Sequence, residues 1–160
     1  MSPQRKDSPD DAVDVITEEL LTVSRLMIGL SAQALAEVDE NITVQQFRSL
    51  MVLYKRGSTN LTTLAYQMGV QPSAAGRMVD RLVAMGLVER SQHPTSRREL
   101  LGSLTPRGQQ AVTEINDRRR AALMGILAEI PKSTCEELVR TLSGFNAAAA
   151  ELAHDYDVET

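Results

Sequence analysis

Apolar residues near the start of the chain fall at Val13, Ile16, Leu20, Val23, Met27, Leu30 and Ala34, in steps alternating three and four. That period predicts a helix with a narrow apolar stripe along one side. Such a stripe either faces the core of its own domain or pairs with a helix of a second subunit. Over about six turns at 3.6 residues each, it exceeds what a small domain can cover alone, which favours pairing.

The pattern then breaks and restarts several times. Thr43-Val-Gln-Gln46 places Gln three residues after a hydroxyl N-cap, the capping-box form. It predicts a helix to about Arg56 with Val44, Phe47, Leu50, Met51 and Tyr54 on its apolar side, broken by Gly57-Ser58. Asn60 suits the N-cap of a short helix, Leu61 to Met68, and Gly69 sits where a left-handed closing residue is wanted. Pro72 suits the first position of the next helix, which runs to about Met85 and ends at Gly86. Its inner face is Ala75, Met78, Val79 and Leu82; its outer face carries Ser73, Ala74, Arg77, Asp80 and Arg81. Arg77 and Arg81 are four apart and share that face.

Two short strands follow, Leu87 to Ser91 and Glu99 to Leu104, around a turn from Gln92 to Arg98 that presents Arg97 and Arg98 at its tip. Thr105-Pro106 restarts helix, which runs long until Pro131 stops it. Ser133-Thr-Cys-Glu136 reads as a second capping box, and the last helix carries Leu138, Leu142, Phe145, Ala149 and Leu152. The chain is therefore mainly α. Residues 43–105 have the layout of a winged helix-turn-helix with a two-stranded β-wing, a module that lays one helix in the major groove of DNA.

Charge sharpens the picture. The protein is acidic overall, at −4, yet residues 60–108 hold six Arg against Asp80, Glu89 and Glu99, a net +3 between flanks of −3 and −4. Positive charge is concentrated where a polyanion would touch. Exposed arginines on a helix are otherwise commonly solvated or ion-paired, Arg77 with Asp80 for instance. The wing arginines argue against that, because they fall in the same module. Arg118-Arg119-Arg120 is a second basic run and reads as the solvated side of the long helix.

Composition closes off other classes. A chain of 160 residues suits one domain, and 42% hydrophobic residues with no Trp imply an aliphatic core. A lone cysteine, Cys135, forms no internal disulfide and no all-cysteine metal site. It sits just past a helix start, where a thiol can become acidic, but the plain reading is a half-buried small residue. His93 and His154 have no nucleophile nearby in sequence, and there is no Gly-rich phosphate loop and no His-Glu-x-x-His. The reading is a non-enzyme with no catalytic residues, no metal site and no cofactor. Residues 1–10 form a polar, flexible tail rather than a signal peptide, and no run approaches the ~18 apolar residues of a membrane span. A cytoplasmic protein without membrane partners is expected.

The chain resembles the multiple-antibiotic-resistance regulator (MarR) family over nearly its whole length. The resemblance rests on Thr43-Val-Gln-Gln-Phe47, Leu64-Ala65, Met68-Gly-Val70, Pro72-Ser73, Arg77-Met-Val-Asp-Arg-Leu82, Gly86-Leu-Val-Glu-Arg90, Arg98 and Leu104-Thr-Pro-Arg-Gly108, in this order and spacing. It implies an intertwined homodimer whose terminal helices pair. Residues 11–42 and 106–157 then form a helical dimerisation region around the DNA-binding domain. It further implies a repressor bound to double-stranded DNA at a pseudo-palindrome and released by a small-molecule effector, usually an anionic or phenolic aromatic. Ser73 and Arg77 would meet the major groove and Arg98, at the wing tip, the minor groove. Face and charge add Ala74, Arg81 and Arg97, whereas Arg90 reads as a strand residue supporting the wing. Val23, Met27, Phe47, Met51 and Tyr54 are apolar enough to line an effector pocket but equally suit the core, so the effector-binding residues are left open.

Three positions depart from the family pattern. Ser96 stands where the wing usually has Asp, Gly76 where a Thr or Ser precedes the helix arginine, and Gln71 where a Ser or Thr caps the helix. Fewer polar side chains reach the groove, so binding is expected to lean on phosphate contacts, with steep salt dependence and modest base discrimination. Gly76 and Ser96 also suit the alternative, a dimeric helical module whose winged domain binds a protein partner rather than specific DNA.

Overall fold

The computed structural model describes residues 9–92 and 100–158, with side chains over 11–92 and 101–151. In chain order the elements are α1 (Pro9–Val38), α2 (Val44–Arg56), β1 (Thr59–Asn60), α3 (Leu61–Met68), α4 (Pro72–Ala84), β2 (Val88–Gln92), β3 (Leu100–Leu104), α5 (Pro106–Ala128) and α6 (Lys132–Val158). The chain divides into two compact units, residues 1–119 and 120–160.

In the first unit the local signals act as expected. Thr43 Oγ1 accepts from Gln46 N at 3.2 Å, and Gln46 Oε1 accepts from Thr43 N at 2.8 Å, closing the capping box of α2. Asn60 Oδ1 accepts from Thr63 N at 2.8 Å to start α3, and Gly69, at φ 65° and ψ 36°, ends it in the left-handed conformation. The core gathers Leu35, Ile42, Leu50, Leu53, Leu64, Val79, Leu82, Leu87, Val112 and Ile115 around Phe47, its one aromatic member.

One strand lay outside expectation here. The wing is three-stranded, in the order β1-β3-β2, all antiparallel: Thr59 pairs with Gly102 and Asn60 with Leu101 on one side of β3, and Val88 to Gln92 run against Leu104 to Leu100 on the other. A two-residue strand has no periodicity to betray it; β1 exists because β3 offers a free edge beside it. Along α1 the apolar stripe is covered within the subunit only toward its end. Val13, Ile16 and Val23 are exposed, Leu20, Met27 and Leu30 half-buried, and Ala34 buried.

The second unit holds the end of α5 and all of α6. Helix α6 begins at Lys132, with Pro131 O accepting from Cys135 N at 3.1 Å, so Ser133 lies inside the first turn and is not the N-cap. Pro131 occupies the N-cap position, and its carbonyl accepts the first intrahelical bond. Cys135 is half-buried, and its Sγ lies 3.9 Å from Ile130 O. Leu138, Val139, Leu142 and Phe145 are exposed along α6. Among the described residues, no helix is long and apolar enough to cross a membrane.

Candidate nucleic-acid interface

Helix α3, a three-residue turn and α4 form the helix-turn-helix. Val70 N donates to Ala65 O at 3.0 Å, which folds the turn back so that Pro72 opens α4. Ala75, Val79 and Leu82 bury the inner face of α4, with Met78 half-buried beside them. The opposite face presents Ser73, Arg77 and Arg81 to solvent, with Ala74 half-buried. Four of the sequence-predicted residues thus share one surface. Arg97 and Arg98, with Ser96 and His93, lie outside the described residues.

Electrostatics on this face are settled by one ion pair. Asp80 does not pair with Arg77; Arg90 Nη2 on β2 holds its Oδ1 at 2.8 Å. Arg77 and Arg81 have no acidic partner among the described residues. They line a cavity of about 250 Å³ with Thr43, Gln45 and Ala74, at the N-terminal end of α2. The partial positive charge of that helix end adds to the two guanidiniums.

The departures at Gln71 and Gly76 have visible consequences. Gln71 makes no side-chain cap, so α4 begins with only backbone bonds from Ala74 N and Ala75 N to Gln71 O, at 2.9 and 3.1 Å. A Cβ added at Gly76 would meet nothing within 4 Å, so that position is open space rather than a close approach.

The second basic run does not lie as a uniform solvated face. Arg118 reaches Glu37 of α1 at 2.7 Å and Glu114 at 3.2 Å. The hydrogen bond to Glu37, followed by that to Glu114, raises its pKa above the ordinary arginine value. A raised folded pKa means the contribution is complete below the unfolded value and lost only as pH climbs through the folded one. From the arginine side, then, this linkage is constant across neutral pH. Arg119 turns inward, its guanidinium 5.5 Å from the centre of the Phe47 ring and its Nη1 donating to Asn116 Oδ1 at 3.3 Å. Arg119 also lines a cavity of about 360 Å³ whose walls include Met27, Phe47, Met51, Met68 and Arg48. Three of the five candidate pocket residues, Met27, Phe47 and Met51, meet there; Val23 and Tyr54 do not line it. The sequence signal missed was Arg119, hidden in a run of three identical residues of which helical rotation selects one.

A family model described as the MarR family matches residues 42–100. Among solved structures, RV1404 from Mycobacterium tuberculosis is 48% identical, with 92% of this chain and 98% of that one covered and a TM-score of 0.79. A MarR family protein from Bacillus stearothermophilus shares the fold at 20% identity, covering 89% of this chain and 99% of that one, with a TM-score of 0.82. The transcriptional repressor MdtR of Bacillus subtilis is 28% identical over 118 residues, which span 73% of this chain and 76% of that protein.

Proposed function

The chain belongs to the MarR family of helix-turn-helix transcriptional regulators, and we propose that it is a homodimeric repressor that grips a pseudo-palindromic operator and lets go when an aromatic anion binds. The observation that carries the DNA reading is the outer face of α4. Arg77 and Arg81 point outward without acidic partners among the described residues, while the single acid of that helix is held by Arg90. Ser73, Ala74, Arg77 and Arg81 meet the major groove, and Arg97 and Arg98 reach the minor groove from the wing tip. An arginine suits a narrow A·T-rich minor groove because negative potential is concentrated there.

Pairing of two subunits answers a problem of exposed surface. Val13, Val15, Ile16 and Val23 on α1 are 48–63% exposed, and Val139, Leu142 and Phe145 on α6 are 48–65% exposed. Apolar surface on this scale marks a contact. Residues 11–42 and 106–157 supply the dimer contact and 43–105 the DNA contact, and the two recognition helices sit about one DNA turn, ~34 Å, apart. The effector occupies the cavity beside Arg119, where Met27, Phe47 and Met51 supply apolar walls and a guanidinium with no acidic partner among the described residues selects a carboxylate or phenolate. Release requires that the effector favour a spacing of the helices that does not fit the operator. The site of action is the cytoplasm.

The test is selection of bound sequences from a pool of random duplexes, followed by fluorescence anisotropy with wild type, Arg77→Ala and Arg98→Ala. A palindrome is expected to emerge, and each substitution should lower the slope of log affinity against log salt by about one. No enrichment, with weak binding indifferent to Arg77, would overturn the reading.

A further inference from the structure

Helix α4 is held at its far end. Its N-terminus has no side-chain cap, but three residues at the start of α5 close on its C-terminus. Thr105 Oγ1 donates to Gly86 O at 2.7 Å, and Thr105 N donates to Leu87 O at 3.1 Å. Gly108 lies against the same backbone: a Cβ there would collide with Leu87 O. Arg107 Nη1 donates to Met85 O, the C-cap of α4, at 3.1 Å. Its other terminal nitrogen, Nη2, faces Asp39 Oδ2 at 4.0 Å.

Asp39 is itself the corner post between α1 and α2. Its Oδ1 accepts from Asn41 N and from Asn41 Nδ2, each at 3.0 Å, and its carbonyl accepts from Ile42 N at 3.0 Å. A single guanidinium therefore spans three elements: the end of α1, the carbonyl end of α4 and the first turn of α5. A cation is favoured at a helix carbonyl end, and the rigid fork of Arg can address two partners in different directions where a Lys ammonium reaches one.

We propose that Arg107 is a positioning residue that ties the C-terminal end of the recognition helix to the α1–α2 corner, so that movement of α1 is passed to α4. The residue touches no base or phosphate; it acts through Met85 and Asp39. Its effect on operator affinity rests on the DNA-binding reading, but its effect on α4 does not.

Arg107→Met keeps the aliphatic stem and removes both contacts. Amide hydrogen exchange in the free protein should quicken three- to tenfold across α4 while that of α2 stays as in wild type. Affinity for the selected operator should fall about five- to tenfold, the low end of coupling between sites, with the slope against log salt unchanged. Arg107→Lys should recover part of both losses. Unchanged exchange in α4 would overturn the proposal. So would a fall of about one in the salt slope, which marks a direct phosphate contact. If wild type binds no duplex, the DNA reading fails and the exchange result still decides the role of Arg107. Should Arg107→Met not fold, Asp39→Asn, which leaves Arg107 in place, must quicken exchange in α4; if it does not, the proposal falls.

Discussion

Arg90 on β2 reaches Asp80 on α4 with Nη2 2.8 Å from Oδ1, so a wing strand neutralises the acidic residue on the outward face of the recognition helix. The pair is surface-lying, with side chains 32% and 60% exposed. Its value is therefore electrostatic tuning of that face rather than stability.

The two halves of the pair should respond in opposite senses. Arg90→Ala leaves a bare carboxylate beside Arg77 and Arg81 and is expected to weaken DNA binding several-fold at low salt. Asp80→Asn removes the acid and frees a guanidinium, and is expected to strengthen binding. Neither should move folding stability by more than about 1 kcal/mol. Anisotropy titrations at two salt concentrations and thermal melts decide this; loss of affinity in both variants would mean that geometry, not charge, is what the pair supplies.

Gly76 is a helix-interior glycine with open space where its side chain would be. Gly76→Ala should stabilise the fold by roughly 1 kcal/mol, raising Tm by about 2–4 °C for a chain of this size. The same variant should keep DNA affinity within about twofold of wild type, since alanine adds no groove-reading group. A drop in Tm on differential scanning calorimetry would contradict the open space.

Gly108 is the reverse case. An added Cβ would collide with Leu87 O, so α5 and the backbone just before β2 must separate for any side chain to fit. Gly108→Ala is expected to cost about 3 kcal/mol or more, at or above the upper end of overpacking, and to lower the urea midpoint accordingly. A midpoint equal to wild type would mean that the contact relaxes without penalty.

The Arg119 guanidinium, over Phe47 and with no acidic partner among the described residues, should distinguish anionic from neutral aromatic probes. Benzoate is expected to raise Tm and benzamide to leave it unchanged. Arg119→Met should weaken benzoate binding at least tenfold, about 1.4 kcal/mol, by isothermal titration. Equal effects of benzoate on wild type and Arg119→Met would place the anion elsewhere.

Much of this molecule was legible along the chain because its signals are local. Thr43 with Gln46, Asn60 with Thr63, Gly69 and Pro72 each act within four residues, and each does in the structure what its chemistry demands. The outward set of Ser73, Arg77 and Arg81 followed from helical period alone, since Ala75, Val79 and Leu82 must turn inward to be buried.

What lies beyond the reach of local rules needed the fold. Strand β1 is two residues long and forms only because β3 is there to pair with it. Asp80 had Arg77 and Arg81 as near neighbours in sequence, yet the antiparallel path of β2 brings Arg90 to it instead. Arg118 and Arg119 are chemically identical, and a rotation of about 100° per residue sends one to Glu37 and the other over Phe47. Arg107, read from sequence as part of a helix start, joins Met85 and Asp39, residues 22 and 68 positions away. Period, caps and charge thus determined which elements form and which face they show. Pairings between residues far apart in the chain were decided only when the core closed, because their partners are chosen by distance in space and not by spacing in sequence.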